Sequence, residues 1–236
     1  KLLFLGGSVS LRREGPVMVG DNTGIMALHV PRLARRYHSP GREIAGETSW
    51  ERKVERTAEL AARQDIRMLS GVPSWLVLLA ERVLEVGRAR TLRELWPRLG
   101  LVVPGGMSFA PYRARMMELT GPGVTFLDTY SAWEGGMLAV QDRLNEPGML
   151  PIADRGVFFE LIPASEVGSK EPTRLGLEEA EPGVDYAVAL TTDSGIWAYL
   201  VGDAIRFESV RPLRLLFAGR LAHTLNAFGE HVSGGE

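Results

Sequence analysis

The amino-acid sequence predicts an α/β protein, a layered α/β sheet followed by a mostly antiparallel, barrel-like β-rich part. Three observations lead to this class. Between residues 50 and 130, short apolar runs alternate with amphipathic stretches at helical spacing, the pattern of parallel strands joined by helices. After Gly136 six strand-like runs follow one another with turns between them and no helical period. With 45% hydrophobic and 24% charged residues over 236 positions, the chain has the balance of a globular protein with a sizeable core.

The elements follow in order. "KLLFLGG" and "GIMALHV" read as short strands, with Gly-, Pro- and Asp-rich turns around them, so residues 1–48 are expected to be an irregular connecting segment. From Ser49 the pattern is sharper. Trp50, Val54, Thr57, Ala58 and Ala61 recur at helical spacing among charged neighbours, which predicts a helix over 50–63. "IRMLS" is a short buried strand. "VPSWLVLLAERVLEV" is a mostly apolar helix, with Pro73 suited to its first turn and Gly87 to its end. Thr91 and Glu94 stand at capping-box spacing before a short helix, and Ser108 is placed to cap "FAPYRARMMEL". "LGLVVP" and "VTFLD" complete the parallel set. Beyond them "MLAVQ", "GVFFELIP", "DYAVALTT", "GIWAYLVG", "AIRF" and "LRLLFAG" are strands. The expected organisation is therefore 1–48 connecting, 49–136 α/β, 137–218 β-rich, and 219–236 a terminal polar segment.

Charge narrows the function classes. The 27 basic and 29 acidic residues give a net charge of -2, too balanced a field for wrapping nucleic acid or an anionic membrane. Cysteine is absent, which removes thiolate metal sites, cysteine nucleophiles and disulfides and fits a cytoplasmic protein. The 27 basic residues less three lysines leave 24 arginines, a skew that fits GC-rich, bacterial coding. No G-x-S-x-G elbow is present, and His29, His38, His223 and His231 show no metal-like pairing.

Three turns combine glycine with polar or aromatic side chains at strand ends, where α/β sheets place ligands. They are Gly105-Gly106-Met107, the run Thr129 to Gly136, and Gly202-Asp203. In "TYSAWEGG", Tyr130 offers a flat face, Thr129 and Ser131 offer hydroxyls, and Glu134 is either a Mg2+ ligand or a solvated loop residue. Asp203 follows a strand-like run and is either ordinary turn chemistry or an acceptor for a pair of hydroxyls. Arg220 ends the last strand. It is either a surface residue or a clamp for phosphate or ribose.

Taken in order, "LSGVPSW", "PGGMSFAPYR", "TYSAWEGG", "GIWAYLVGDAIRF" and "FAGRLAHTLNAFGEHVS" resemble successive blocks of the auxin-responsive Gretchen Hagen family of acyl acid-amido synthetases, most closely its bacterial members. That family belongs to the adenylate-forming superfamily. The resemblance implies part of the large N-terminal domain of such an enzyme, with ATP and Mg2+ as cofactors. The substrates would be a carboxylic acid and an amine, in all expectation an amino acid. Position by position, it implies that Tyr130 flanks the adenine, Glu134 sits near Mg2+ and the phosphates, Asp203 binds the ribose hydroxyls and Arg220 lies near the nucleotide. Gly105 and Gly106 would border the acyl-adenylate site, with Thr129, Ser131 and Met107 beside it. Trp75 would help wall the acyl pocket. Trp133 stands where the family commonly has a small residue and is expected to narrow that pocket. The family's phosphate loop would precede Lys1 and its lid would follow the hinge at 219–236, so the sequence reads as an internal fragment, inactive alone. A thiol acceptor such as coenzyme A, or a nucleotide-binding module without turnover, are the alternatives.

Overall fold

A computed structural model describes residues 1–7, 12–20, 22–144, 146–221, 225–227 and 230–232. The chain divides into two compact units. One comprises Lys1–Pro104 and Phe109–Phe126, and the other Gly105–Ser108 together with the chain from Leu127 onward.

The first unit is built on a five-stranded sheet in which every described pairing is parallel. Its spatial order is His38–Ser39, Leu2–Leu5, Met68–Gly71, Leu101–Pro104 and Thr125–Phe126. Leu2–Leu5 lies inside this sheet, aligned with both His38–Ser39 and Met68–Gly71. The unit thus begins at Lys1 rather than at residue 49, because the sheet needs the Leu3 and Leu5 side chains, both buried, to complete its core.

The helices follow from pattern and caps. Trp50–Ala61 starts where the Ser49 side chain accepts from the Arg52 N–H, and it buries Val54, Thr57, Ala58 and Ala61 as the spacing predicts. Pro73–Gly87 carries Pro73 in its first turn and buries Leu76, Leu79, Ala80, Val83 and Leu84. Its left-handed terminal position falls on Arg88, at φ 51°, one residue beyond the expected Gly87. Ala110–Thr120 buries Met116 and Leu119. Trp96 is fully buried among these elements and donates its indole N–H to the Ala61 carbonyl at 2.8 Å.

Several local expectations are corrected. "GIMALHV" lies largely within a helix, Asn22–Leu28, and Gly24 and Ala27 are buried three residues apart on one face. Thr91 makes no capping hydrogen bond. The Glu94 carboxylate instead accepts from the Arg90 N–H at 2.9 Å. Phe109, not Ser108, occupies the cap position before Ala110–Thr120, with Pro111 in the first turn, and no side chain caps that end.

The second unit holds three antiparallel sheets, one of them the short pair Leu225–Ala227 and Glu230–Val232. Thr129–Ala132, Gly136–Val140 and Leu150–Pro151 form a three-stranded one. Val157–Pro163, Asp185–Thr192, Tyr199–Val210 and Leu213–Arg220 form a four-stranded meander. Leu138 of the three-stranded sheet shares a core with Leu161, Val188, Leu190, Ile205, Phe207 and Leu215 of the four-stranded one. Along Val157–Pro163, Phe159 and Leu161 face the shared core while Phe158 is exposed, the mark of a half-buried strand, and only Ile162 departs from the alternation by being buried as well. Among the described residues no helix is long and apolar enough to cross a membrane.

The largest departure from expectation is at Gly202-Asp203. These residues do not interrupt a strand: Tyr199–Val210 runs through them without a break. The pairing with Asp185–Thr192 jumps from Ala187↔Ala204 to Ala189↔Leu200, so Val201, Gly202 and Asp203 oppose Val188 alone. This is a bulge, and Gly202 takes φ +84° within it, a left-handed conformation that side chains with a Cβ adopt at a cost.

Candidate functional site

The bulge turns Asp203 toward a cleft in the second unit. The cleft is lined by Gly106, Met107, Thr129, Tyr130, Ser131, Asp203, Phe217 and Arg220. Seven of these eight were singled out in the sequence, from four separated stretches, and the fold brings them together. At about 50 Å3 the enclosed space takes an edge of a ligand rather than a whole nucleotide.

Each element contributes for a local reason. Gly106, at φ +85°, lets its segment turn tightly at the cleft mouth, where Met107 is exposed. Gly105 lies just behind, close to the Thr129 hydroxyl. Thr129–Ala132 and Gly136–Val140 are joined by a hairpin turn of Trp133, Glu134 and Gly135, so Thr129, Tyr130 and Ser131 are presented by a strand rather than by a mobile loop. Asp203 and Arg220 are direct partners across the last strand pair. A second irregularity, between Ala204↔Gly219 and Ile205↔Phe217, brings Phe217 to the cleft.

Asp203 is the electrostatic centre. It is 3% exposed. The Tyr130 hydroxyl donates to Oδ2 at 3.0 Å, and the Arg220 Nε lies 2.9 Å from Oδ1. That second contact is an ion pair whose N–H is not aimed at the oxygen, so Oδ1 receives no aligned hydrogen bond within the protein. Burial pushes the Asp203 carboxyl above the usual carboxylate range, the Tyr130 hydrogen bond and the Arg220 charge oppose that rise, and Glu134 adds to it. Tyr130 is 4% exposed, and burial together with the Asp203 charge holds its phenol well above the ordinary tyrosine range. A buried carboxylate at the wall of a cleft, with one oxygen hydrogen-bonded by Tyr130 and the other lacking an aligned hydrogen bond, has acceptor capacity left over for a ligand donor.

The remaining candidates lie elsewhere. Glu134 is half-buried in the hairpin turn, near enough for its charge to act on both Asp203 and Tyr130, but it does not line the cleft. Trp133, in the same turn, is 63% exposed. Trp75 belongs to the first unit, where its ring packs against Trp50 at 4.7 Å between centroids. No group of three His, Asp or Glu side chains that could hold a metal exists among the described residues. Mg2+ can be held by one or two carboxylates together with substrate phosphates, and Glu134 is the carboxylate whose charge acts on the cleft residues Asp203 and Tyr130. Phe217 escaped the sequence reading because an aromatic in an apolar strand reads as core; the following Gly219-Arg220 was the only signal. His223 lies outside the described residues, as does most of the segment beyond Leu221.

Comparison with known proteins bears on this geometry. Residues 150–220, which include Asp203, Phe217 and Arg220, match the family model described as the GH3 family central domain. Among solved structures, a GH3.15 acyl acid amido synthetase is similar over 94% of this chain and 48% of its own, with a TM-score of 0.66 and 16% identity. 2-Hydroxyisobutyryl-CoA ligase in complex with 2-HIB-AMP and CoA is similar over 100% of this chain and 46% of its own, at a TM-score of 0.59 and 16% identity. The anthranilate CoA ligase AuaEII in complex with anthranoyl-AMP is similar over 80% of this chain and 37% of its own, at a TM-score of 0.56 and 16% identity. The chain thus spans half or less of the length of these proteins. Its fold is that of the N-terminal domain of adenylate-forming enzymes.

Proposed function

We propose that this chain carries the adenosine-binding part of an ATP-dependent ligase of the acyl acid-amido synthetase type, related to the GH3 family. The observation that carries the reading is Asp203, a buried carboxylate on a bulged strand, held by Tyr130 and Arg220 at the wall of a cleft. Two adjacent hydroxyls of a ribose are the donors that such an acceptor suits. Thr129, Ser131, Gly105 and Gly106 border the same ligand, and Met107 lies on its acyl side. Trp133, in the same unit as the cleft, would border the acyl pocket.

In the proposed reaction a substrate carboxylate attacks the α-phosphorus of ATP. A carbon–oxygen–phosphorus link forms, the bond to pyrophosphate breaks, and acyl-adenylate and pyrophosphate result. An amine, in this reading an amino acid, then attacks the activated carbonyl and expels AMP. Arg220 supplies positive charge to the nucleotide, and Glu134 would hold Mg2+, which neutralises phosphate charge. The family match over residues 150–220 favours an amine acceptor. The likeness in fold to coenzyme A ligases supports a thiol acceptor as the second reading. Because the chain spans half or less of the structures it resembles and the cleft addresses mainly the adenosine half of the ligand, the chain alone is expected to bind AMP weakly and not to turn over. Absent cysteine supports a cytoplasmic setting.

The test uses the longer protein encoded by the same reading frame, incubated with ATP, Mg2+, a panel of carboxylic acids, and amino acids or coenzyme A. Acid-dependent release of AMP and pyrophosphate with formation of an amide is expected. Formation of ADP and phosphate would contradict adenylation, and a thioester in place of an amide would favour the second reading.

A further inference from the structure

Tyr130 is held by more than its ring requires. The ring is buried and tilts against Phe217 with centroids 5.9 Å apart, surroundings that a phenylalanine would satisfy equally. The hydroxyl nevertheless crosses to Asp203 Oδ2 at 3.0 Å, joining the Thr129–Ala132 strand of one sheet to the Tyr199–Val210 strand of another. An aspartate carboxylate turns in a broad torsional well, so its burial alone does not decide which oxygen meets a ligand. Arg220 does not decide it either, since its side chain is 57% exposed and its N–H is not aimed at Oδ1. With the guanidinium that exposed, solvent screens the pair from the arginine side and loosens its hold on the buried carboxylate. Tyr130 is buried, has one proton to donate and gives it to one oxygen.

We propose that Tyr130 is a positioning residue, whose hydroxyl anchors Asp203 Oδ2 and so fixes the orientation in which the carboxylate meets a ligand diol at the cleft wall. The proposal rests on the nucleotide-binding reading of Asp203 given above. It assigns to the phenol a duty separate from that of the aromatic ring. The charged and titratable groups acting on Asp203 are Tyr130, Arg220 and Glu134, while the neighbouring Asp185–Thr192 strand opposes the bulge with Val188. Burial and Glu134 favour the neutral carboxyl, whereas Tyr130 and Arg220 favour the carboxylate. Removing the phenol deletes a contribution that lowers the titration midpoint, so the midpoint rises and the acceptor is lost at a higher pH.

The experiment uses the chain labelled with 13Cγ-aspartate. NMR titration of Tyr130→Phe should give an Asp203 midpoint about one pH unit above that of the wild type. Incorporation of 3-fluorotyrosine, which keeps the ring and strengthens the donor, should move the midpoint the other way. AMP is then titrated by calorimetry at about pH 8 and about pH 5. Tyr130→Phe should lose about tenfold more affinity at the acid pH than at the alkaline one, while Asp203→Asn should bind weakly at both. An unmoved midpoint in Tyr130→Phe, with Asp203→Asn still weak, would overturn the positioning role and leave the nucleotide reading standing. AMP binding by Asp203→Asn equal to that of the wild type would overturn both.

Discussion

Gly202→Ala tests the bulge that aims Asp203. A Cβ built at Gly202 meets no heavy atom within 4 Å, so the substitution brings no clash. What remains is the backbone, because φ +84° is a conformation that glycine adopts freely and alanine does not. The cost is about 1 kcal/mol, which for a chain of this size lowers Tm by about 2–4 °C. Relaxation of the strand is opposed on both sides, since Ala204 is paired with Ala187 and with Gly219. The bulge is therefore expected to persist under strain, with AMP affinity changed by less than about threefold. Asparagine tolerates the left-handed region, so Gly202→Asn should cost less than alanine, and Gly202→Val should cost more. Thermal unfolding followed by circular dichroism, with AMP calorimetry on each variant, gives both quantities. Equal Tm values for all four proteins would refute the argument that this position requires glycine geometry.

Other outcomes follow from the same structure. Trp96→Phe removes the donor to the buried Ala61 carbonyl and leaves a void, and should destabilise the first unit by about 2–4 kcal/mol in urea unfolding; a loss below about 1 kcal/mol would show that the site collapses or hydrates. Glu134→Gln in the longer protein should raise the Mg2+ concentration for half-maximal pyrophosphate release, and an unaltered Mg2+ dependence would remove its metal role. Trp133→Ser should widen the range of acids accepted if the exposed indole borders the acyl site, at about 25 cal/mol per Å2 of apolar contact exchanged. An identical ranking of acids would place that ring outside the substrate path.

Much of this architecture was legible in the sequence because periodicity and burial agree. The Trp50–Ala61 helix carries its buried face at the spacing the sequence displays. After Gly136, apolar runs bounded by turns are strands as the sequence suggests, alternating along the middle of Tyr199–Val210 and buried on both faces along Asp185–Thr192. The misreadings have physical causes. Asn22–Leu28 is too short an apolar run for period alone to separate strand from helix. Leu2–Leu5 and His38–Ser39 are sheet members whose partners, Met68–Gly71 among them, lie far along the chain and cannot be inferred from neighbours. Gly202-Asp203 has the composition of a turn, and only pairing on both sides holds it inside a strand. The site was read from glycine, acid and aromatic residues at strand ends. The Tyr130–Asp203 contact was not, because it joins residues 73 positions apart.

The most direct test of the account is calorimetric titration of AMP and of 2′,3′-dideoxy-AMP into the chain and into Asp203→Ala. The wild type should prefer AMP over the dideoxy analogue by about tenfold or more, the difference made by a charged acceptor for two hydroxyls, and Asp203→Ala should bind both with equal, weak affinity. Equal affinities of the wild type for the two nucleotides, or full AMP affinity in Asp203→Ala, would contradict the assignment of Asp203 as the acceptor for the nucleotide sugar.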